Sequence, residues 1–268
     1  MTILVTGATG TVGREIVKQL SEQGKSIRAM TRRPEQASFP EGVETVAGDL
    51  SMPESLASGF AGIEAMYWIS IYEYDALKAA PRVAEMAKKA GIKRVAVMTG
   101  GGDETVLQAA RQAGLACTHL QPGEFMSNTK VWAESIRRDG IVRAPFGGQL
   151  SAMIDEADIA AVAIKAILEE GHEGKDYLLT GRQELTRRET IRQLGQAIGR
   201  PIRYEELTTE QARAEWLEEG YTGDEIEWLL ELGSWECISP ATDSVETLTG
   251  RPARTFAQWA EEHAADFL

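Results

Sequence analysis

The sequence predicts an α/β protein of Rossmann type, a doubly wound parallel sheet with a smaller, mostly helical C-terminal subdomain. Three observations carry this. Over the first 145 residues, short β-branched runs alternate with helical patterns, each boundary marked by glycine or a polar cap. Most of these runs are continuously apolar, as strands are when helices cover both faces of a parallel sheet. The first run ends in the glycine-rich turn Gly7-Ala8-Thr9-Gly10-Thr11-Val12-Gly13, which leads into Ile16, Val17 and Leu20 at helical spacing.

Strands are expected at Ile3 to Thr6, Ser26 to Met30, Val43 to Ala47, Ala65 to Ser70, Arg94 to Met98 and Ala116 to Gln121, the third and sixth more mixed in character. Ser51 with Glu54 reads as a capping box opening the helix after the third strand. A helix over Asp75 to Ala90 closes with Lys88, Lys89 and Gly91, a cationic last turn followed by a glycine stop. Past residue 150 a helix is expected from Asp158 to Glu169 and a strand at Tyr177 to Thr180. Box-like starts at Thr186 with Glu189, Thr208 with Gln211 and Thr255 with Gln258 then divide a mainly helical region. Residues 1–181 are expected to form the dinucleotide-binding domain, with 145–156 leaning toward the substrate side, and 182–268 the substrate-side subdomain.

Composition narrows the function. A chain of 268 residues with 43% hydrophobic and 26% charged residues folds as a globular protein and not as a disordered or fibrous one. The formal net charge of −13 repels phosphate backbones and anionic membrane surfaces, which argues against direct nucleic-acid binding. The N-terminus enters a strand pattern without a basic leader, and no apolar run approaches the roughly 18 residues of a membrane span. With only Cys117 and Cys237 as thiols, the expectation is a cytoplasmic protein without a disulfide framework, and an oligomer is compatible with everything in the chain.

A strand that ends in a glycine-rich turn and feeds a helix presents free backbone N–H groups and the positive end of the helix dipole to a pyrophosphate. Gly7 allows the tight turn, Gly10 the approach of phosphate and Gly13 the packing of helix on strand, with Thr9, Thr11 and Val12 completing the cradle. A NAD site would place a carboxylate after the second strand. Here stand Thr31-Arg32-Arg33-Pro34, and two guanidinium groups favour the 2′-phosphate of NADP(H). Gly48-Asp49-Leu50 ends the third strand where the adenine would lie, with Asp49 either accepting from its amino group or serving as a turn residue. Ser70, Thr99 and Pro122, at the carboxyl ends of the next three strands, complete the expected cofactor set.

Together with these turns, His119-Leu120-Gln121-Pro122-Gly123-Glu124-Phe125-Met126-Ser127-Asn128 and Asp155-Glu156-Ala157-Asp158-Ile159-Ala160 resemble the NmrA-like family of atypical short-chain dehydrogenases/reductases. The resemblance continues through Tyr177-Leu178-Leu179-Thr180-Gly181 and Gly199-Arg200-Pro201 to Thr249-Gly250-Arg251-Pro252. It implies a Rossmann domain with a small C-terminal substrate subdomain. It further implies either an NADPH-dependent reductase, often of quinones or related acceptors, or a dinucleotide-sensing regulator without turnover that acts through a protein partner. Phe125, Met126 and Asn128 fall in the loop that, in that family, lies on the nicotinamide side and lines the acceptor site. Trp68, Tyr72 and Tyr74, at the end of the fourth strand, are further candidates for stacking on a planar acceptor.

The catalytic set of typical short-chain dehydrogenases is missing. The fifth strand ends Val97-Met98-Thr99, and no tyrosine follows in the next helix. One Tyr-x-x-x-Lys, Tyr74 to Lys78, comes a βα unit too early and reads as a helix start with a surface lysine. Hydride transfer to a quinone-like acceptor needs ring packing and exclusion of water, so a reductase stays open without that tyrosine. His119, His172 and His263 are dispersed, which supports no metal centre, and His119 reads as a buried, satisfied histidine. Gly24-Lys25-Ser26 lacks the glycine of a P-loop five residues earlier. Phe256, Trp259, Ala260, His263 and Phe267 share one helical face and read as core.

Overall fold

The structure, a computed structural model, describes residues 1–70, 74–100 and 102–268. In chain order the first elements are β1 (Thr2–Val5), α1 (Thr11–Glu22), β2 (Ser26–Thr31), β3 (Glu44–Ala47), α2 (Ala57–Phe60), β4 (Ile63–Ile69), α3 (Tyr74–Lys89) and β5 (Arg94–Met98). There follow α4 (Thr105–Gln112), β6 (Ala116–Pro122), α5 (Ala133–Asp139), β7 (Ile141–Ala144), β8 (Leu150–Ser151), α6 (Glu156–Leu168) and β9 (Asp176–Leu179). The last are β10 (Leu185–Thr186), α7 (Arg187–Ala197), β11 (Arg203–Glu206), α8 (Thr209–Glu218), α9 (Gly223–Gly233), β12 (Cys237–Ser239), α10 (Ser244–Thr249) and α11 (Phe256–Glu262).

Two compact units emerge, residues 1–122, 156–179 and 247–250 forming one and 123–155, 180–246 and 251–268 the other. A single cut after residue 181 does not describe this, because the chain leaves the first unit after Pro122 and returns at Glu156. The first unit holds a seven-stranded sheet in the order β3-β2-β1-β4-β5-β6-β9. Every pairing in it is parallel. The chain moves outward from β1 to β3 and then returns to lay β4 on the other side of β1, the topological switch beside which open α/β sheets bind their ligands. α1 packs with α6 and α3 with α4, the pairing expected of two helical layers. Leu4, Met30, Met66, Val83, Val95 and Leu107 belong to the core cluster of this unit.

The second unit contains more strand than its sequence suggests. β11 pairs with β7, and β8 is flanked by β10 and β12 in a second small sheet. Strands of two to four residues carry too few side chains for an alternating pattern to register. Its helices begin as the sequence indicates: Thr186, Thr208 and Thr255 each close a reciprocal capping box with the residue three positions on. A fourth box, Thr222 with Glu225, starts α9 inside what reads in sequence as an acidic solvated run.

The box expected at Ser51 does not form. The Ser51 hydroxyl donates to Asp49 Oδ1 at 2.7 Å, and Met52 instead precedes a 3-10 turn that starts at Pro53. Glu54 turns away to pair with Arg82. Both side chains of the expected box are thus engaged elsewhere, Ser51 with Asp49 and Glu54 with Arg82.

Candidate functional site

The turn after β1 is shaped by its glycines. Gly7 has φ +59°, a left-handed conformation that L side chains rarely adopt, and a Cβ there would lie 2.8 Å from Ile69 Cγ2. A Cβ on Gly13 would lie 2.2 Å from the Gly7 carbonyl oxygen, so the first turn of α1 sits against the preceding loop in a way that only glycine permits. Gly10 donates its N–H to Gly7 O at 2.9 Å and stands as N-cap of α1 without a side-chain cap. Arg14 Nε donates to Thr9 O at 2.7 Å and braces the loop. The amides of Thr11, Val12 and Gly13 therefore head a helix whose cap offers no side-chain acceptor, and an anion can take that place.

Arg32 and Arg33 are exposed after β2. Asp49 behaves first as a turn residue, its Oδ1 accepting from the Ser51 N–H at 2.9 Å and the Ser51 hydroxyl. The Ser51 hydroxyl bond, aided by the Ser51 amide and the nearby Arg32 charge and opposed by partial burial, holds the Asp49 carboxyl below its ordinary value. Leu50 is buried in the core.

At the carboxyl ends of β4 and β5, Ser70 donates its N–H to Met98 O at 2.8 Å, while its buried hydroxyl has no hydrogen-bond partner. An orphaned hydroxyl beyond the strand ends fits a polar ligand there. Thr99 donates its N–H to Leu120 O at 3.1 Å and places Oγ1 2.7 Å from His119 Nε2. His119 Nδ1 lies 2.9 Å from Asp176 Oδ1, which also accepts from Arg111 Nη2 at 2.8 Å. His119 is thus the buried, satisfied residue expected, with 0% exposure, while the Asp176 side chain is 50% exposed. Partial burial raises the Asp176 carboxyl, but the bonds from His119 and Arg111 outweigh it and leave the group below its ordinary value. Pro122 closes β6 opposite Leu179 of β9.

The aromatic candidates fare differently. Trp68 does not face a pocket: it is 1% exposed and packs in the core cluster, because alternation along β4 sends its ring beneath the helices. Tyr74 begins α3 with 77% exposure, and Lys78 one turn on is exposed as well, the surface reading of that Tyr-x-x-x-Lys. Tyr72 lies outside the described residues.

In the second unit, Met126 is buried in the core with Trp259 and Phe256 and does not line the main cavity, because its N–H is held by Ile154 O at 2.9 Å on the inner side of the loop. Phe125 is half-buried and forms a bridge to Ile154. Asn128 does line a cavity of about 670 Å³, together with Trp132, Arg143, Gln149, Arg187 and Trp216. Ser151, also on its wall, has a buried hydroxyl without a hydrogen-bond partner. Beside the cavity, Phe146 adopts φ +59° and presses its ring on Gly233. None of these wall residues except Asn128 stands out in the sequence. They come from the 3-10 turn before α5, from β7, from β8 and the loop before it, and from α7 and α8, and only the fold collects them.

Among the described residues no cluster of three or more His, Cys, Asp or Glu could hold a metal ion, and no helix is long and apolar enough to cross a membrane.

A family model described as NAD(P)H-binding matches residues 7–111. The chain is 36% identical over 282 aligned positions to an NAD(P)H azoreductase of Xenophilus azovorans, covering 99% of each chain. It is equally 36% identical to a (4-alkanoyl-5-oxo-2,5-dihydrofuran-3-yl)methyl phosphate reductase of Streptomyces griseus, again over 99% of both. Among solved structures, an NADPH-dependent quinone oxidoreductase of Escherichia coli complexed with NADPH superimposes with a TM-score of 0.81 at 25% identity, over 97% of this chain and 99% of the other. With full-length relatives at this identity, a parallel sheet with its switch beside β1 and a glycine turn shaped for a dinucleotide, the chain belongs to the NmrA-like, NAD(P)H-binding family of atypical short-chain dehydrogenases/reductases.

Proposed function

We propose that this protein is an NADPH-dependent reductase that transfers hydride to a small planar acceptor, a quinone or a related carbonyl, enone, imine or azo compound. The observation that carries this is the turn at the head of α1, where Gly13 packs too closely on Gly7 for any side chain and the helix N-terminus is left without a side-chain cap. Thr11, Val12 and Gly13 hold the pyrophosphate through their amides in this reading, and Arg32 with Arg33 hold the 2′-phosphate through charge-assisted bonds. Ser70 and Thr99 offer hydroxyls beyond the ends of the central strands, and Pro122 closes the nicotinamide side. Bound there, NADPH supplies two electrons and a hydrogen as hydride.

The acceptor side belongs to Phe125, to Asn128 and to the cavity that Asn128 lines, whose Trp132 and Trp216 supply aromatic faces and whose arginines and glutamates supply charge of both signs. Such a wall suits a flat acceptor. Relatives named for azo compounds and quinones support the planar class.

NADPH oxidation, followed at the nicotinamide absorbance against quinones, enones, imines and azo dyes after binding has been established by fluorescence titration, tests the reading. Turnover with a member of this panel is expected, with NADPH preferred to NADH. A second reading, a dinucleotide sensor acting through a protein partner, is motivated by the absent Ser-Tyr-Lys set and is favoured by tight NADPH binding without turnover. Failure to bind either dinucleotide overturns both.

A further inference from the structure

Reduction of a quinone, imine or azo acceptor needs a proton as well as hydride, and the usual tyrosine and lysine are absent. We propose that Thr99 delivers that proton and that His119, oriented by Asp176 and Arg111, is the group behind it. The proposal rests on the reductase reading.

Four side chains from four elements make one continuous chain. Thr99 stands one residue beyond β5, His119 in β6, Asp176 at the start of β9 and Arg111 in α4. His119 faces Val97 on one neighbouring strand and Asp176 on the other, so parallel register alone places its ring between Thr99, one rung further along, and the carboxylate. The distances are 2.7 Å from Thr99 Oγ1 to Nε2 and 2.9 Å from Nδ1 to Asp176 Oδ1. The ring has no solvent contact, Thr99 is 4% exposed, and Asp176 is half open to water. One end of the chain thus reaches solvent, and the other ends beyond the carboxyl edge of β5, where open α/β sheets bind ligands.

Hydrogen-bond valence then decides what Thr99 can do. A neutral ring whose proton on Nδ1 is donated to Asp176 accepts the Thr99 hydroxyl proton at Nε2. A protonated ring donates from both nitrogens, so Thr99 Oγ1 becomes the acceptor and its own O–H turns to another partner. The state of His119 therefore switches Thr99 between donating into the protein and donating outward. Other buried hydroxyls nearby lack this backing: Tyr67 donates to Met98 Sδ, and Ser70 has no hydrogen-bond partner.

The step balances. The acceptor gains both electrons as hydride, whose C–H bond to the nicotinamide ring breaks. The Thr99 O–H bond breaks as its proton passes to the acceptor's oxygen or nitrogen, and the His119 Nε2 proton moves onto Thr99 Oγ1. His119 is left neutral, still donating from Nδ1 to Asp176, and Nε2 regains its proton from solvent through the Thr99 hydroxyl once the product has left. Thr99 is the catalytic residue here, while Asp176 and Arg111 are positioning residues.

The chain can be tested without any acceptor. With three histidines in the protein, selective 15N-histidine labelling gives three resolvable rings. In the full-length protein, Thr99→Val is expected to shift His119 Nε2, and Asp176→Asn to shift Nδ1. Unchanged His119 signals in Thr99→Val overturn the proposal, whatever the activity. In turnover at saturating NADPH, Thr99→Val, which keeps the shape, is expected to lower kcat about 100-fold, a loss read separately from any change in NADPH affinity seen by fluorescence titration. Thr99→Ser is expected to recover most of that loss, and His119→Gln to lower kcat and diminish the solvent deuterium isotope effect. A change confined to KM, or an isotope effect indifferent to His119, overturns the donor role. A wild-type protein that binds NADPH but reduces no acceptor instead overturns the reductase reading and the donor role with it, while the labelled spectra still judge the chain itself.

Discussion

Arg32 and Arg33 carry the prediction on cofactor choice. Their guanidinium groups follow β2 where a carboxylate would repel a 2′-phosphate. Replacing both with Ala is expected to weaken NADPH binding by about 1.5–3 kcal/mol per lost charged hydrogen bond and to leave NADH nearly unchanged, read by parallel titrations. Equal losses for the two cofactors would remove the 2′-phosphate role. Asp176 carries a different prediction. A carboxyl whose folded value lies below its unfolded value of about 3.9 adds stability above that value and loses it as pH falls through the folded one. Asp176→Asn is therefore expected to melt lower than wild type at neutral pH, with the gap closing as the pH drops below about 4. A gap that persists in acid would point to packing and not to the carboxylate. At this scale the glycines and arginines are legible because each answers a local demand. Trp68 and Met126 are not, because an aromatic or thioether after a strand faces either the ligand or the core, and the alternation of β4 settles it for Trp68 and the loop pinned by Ile154 for Met126.

Caps set the helices of the second unit, and four of them use the same device. Thr222 accepts from the Glu225 N–H while Glu225 accepts from Thr222, which stops α8 and α9 from running together through an acidic segment. Thr222→Ala is expected to cost about 1 kcal/mol, measured by urea denaturation, and an unchanged midpoint would mean that packing alone places α9. Thr186, Thr208 and Thr255 are readable because a cap and its third neighbour are contiguous in sequence. Ser51 has the same pattern and does not cap, since its side chain turns back to Asp49, Glu54 pairs with Arg82 and the following turn starts only at Pro53. The short strands β7, β8, β10, β11 and β12 are invisible by pattern for the opposite reason: their partners are remote, with β11 pairing to β7 across some sixty residues.

On the scale of the molecule, the second unit carries a hydrophobic core of its own. Trp259 is fully buried in it, stacked with Phe256 at 5.6 Å and edge-on to Phe267 at 6.4 Å, as the shared helical face of these residues indicates. Trp259→Ala is expected to destabilise the protein by about 3–5 kcal/mol, read by chemical denaturation, and a loss under 1 kcal/mol would show that the site collapses onto the gap. The sequence by itself determined the parallel αβ alternation, the dinucleotide turn and most helix starts, because these are written in neighbouring residues and in periodicity. Tertiary structure alone decided that residues 123–155 leave the nucleotide-binding unit, which cavity Asn128 joins, and that Thr99, Arg111, His119 and Asp176 touch. Those contacts span up to 65 positions of the chain, from Arg111 to Asp176, and arise from strand order and register in a sheet, which no local pattern encodes.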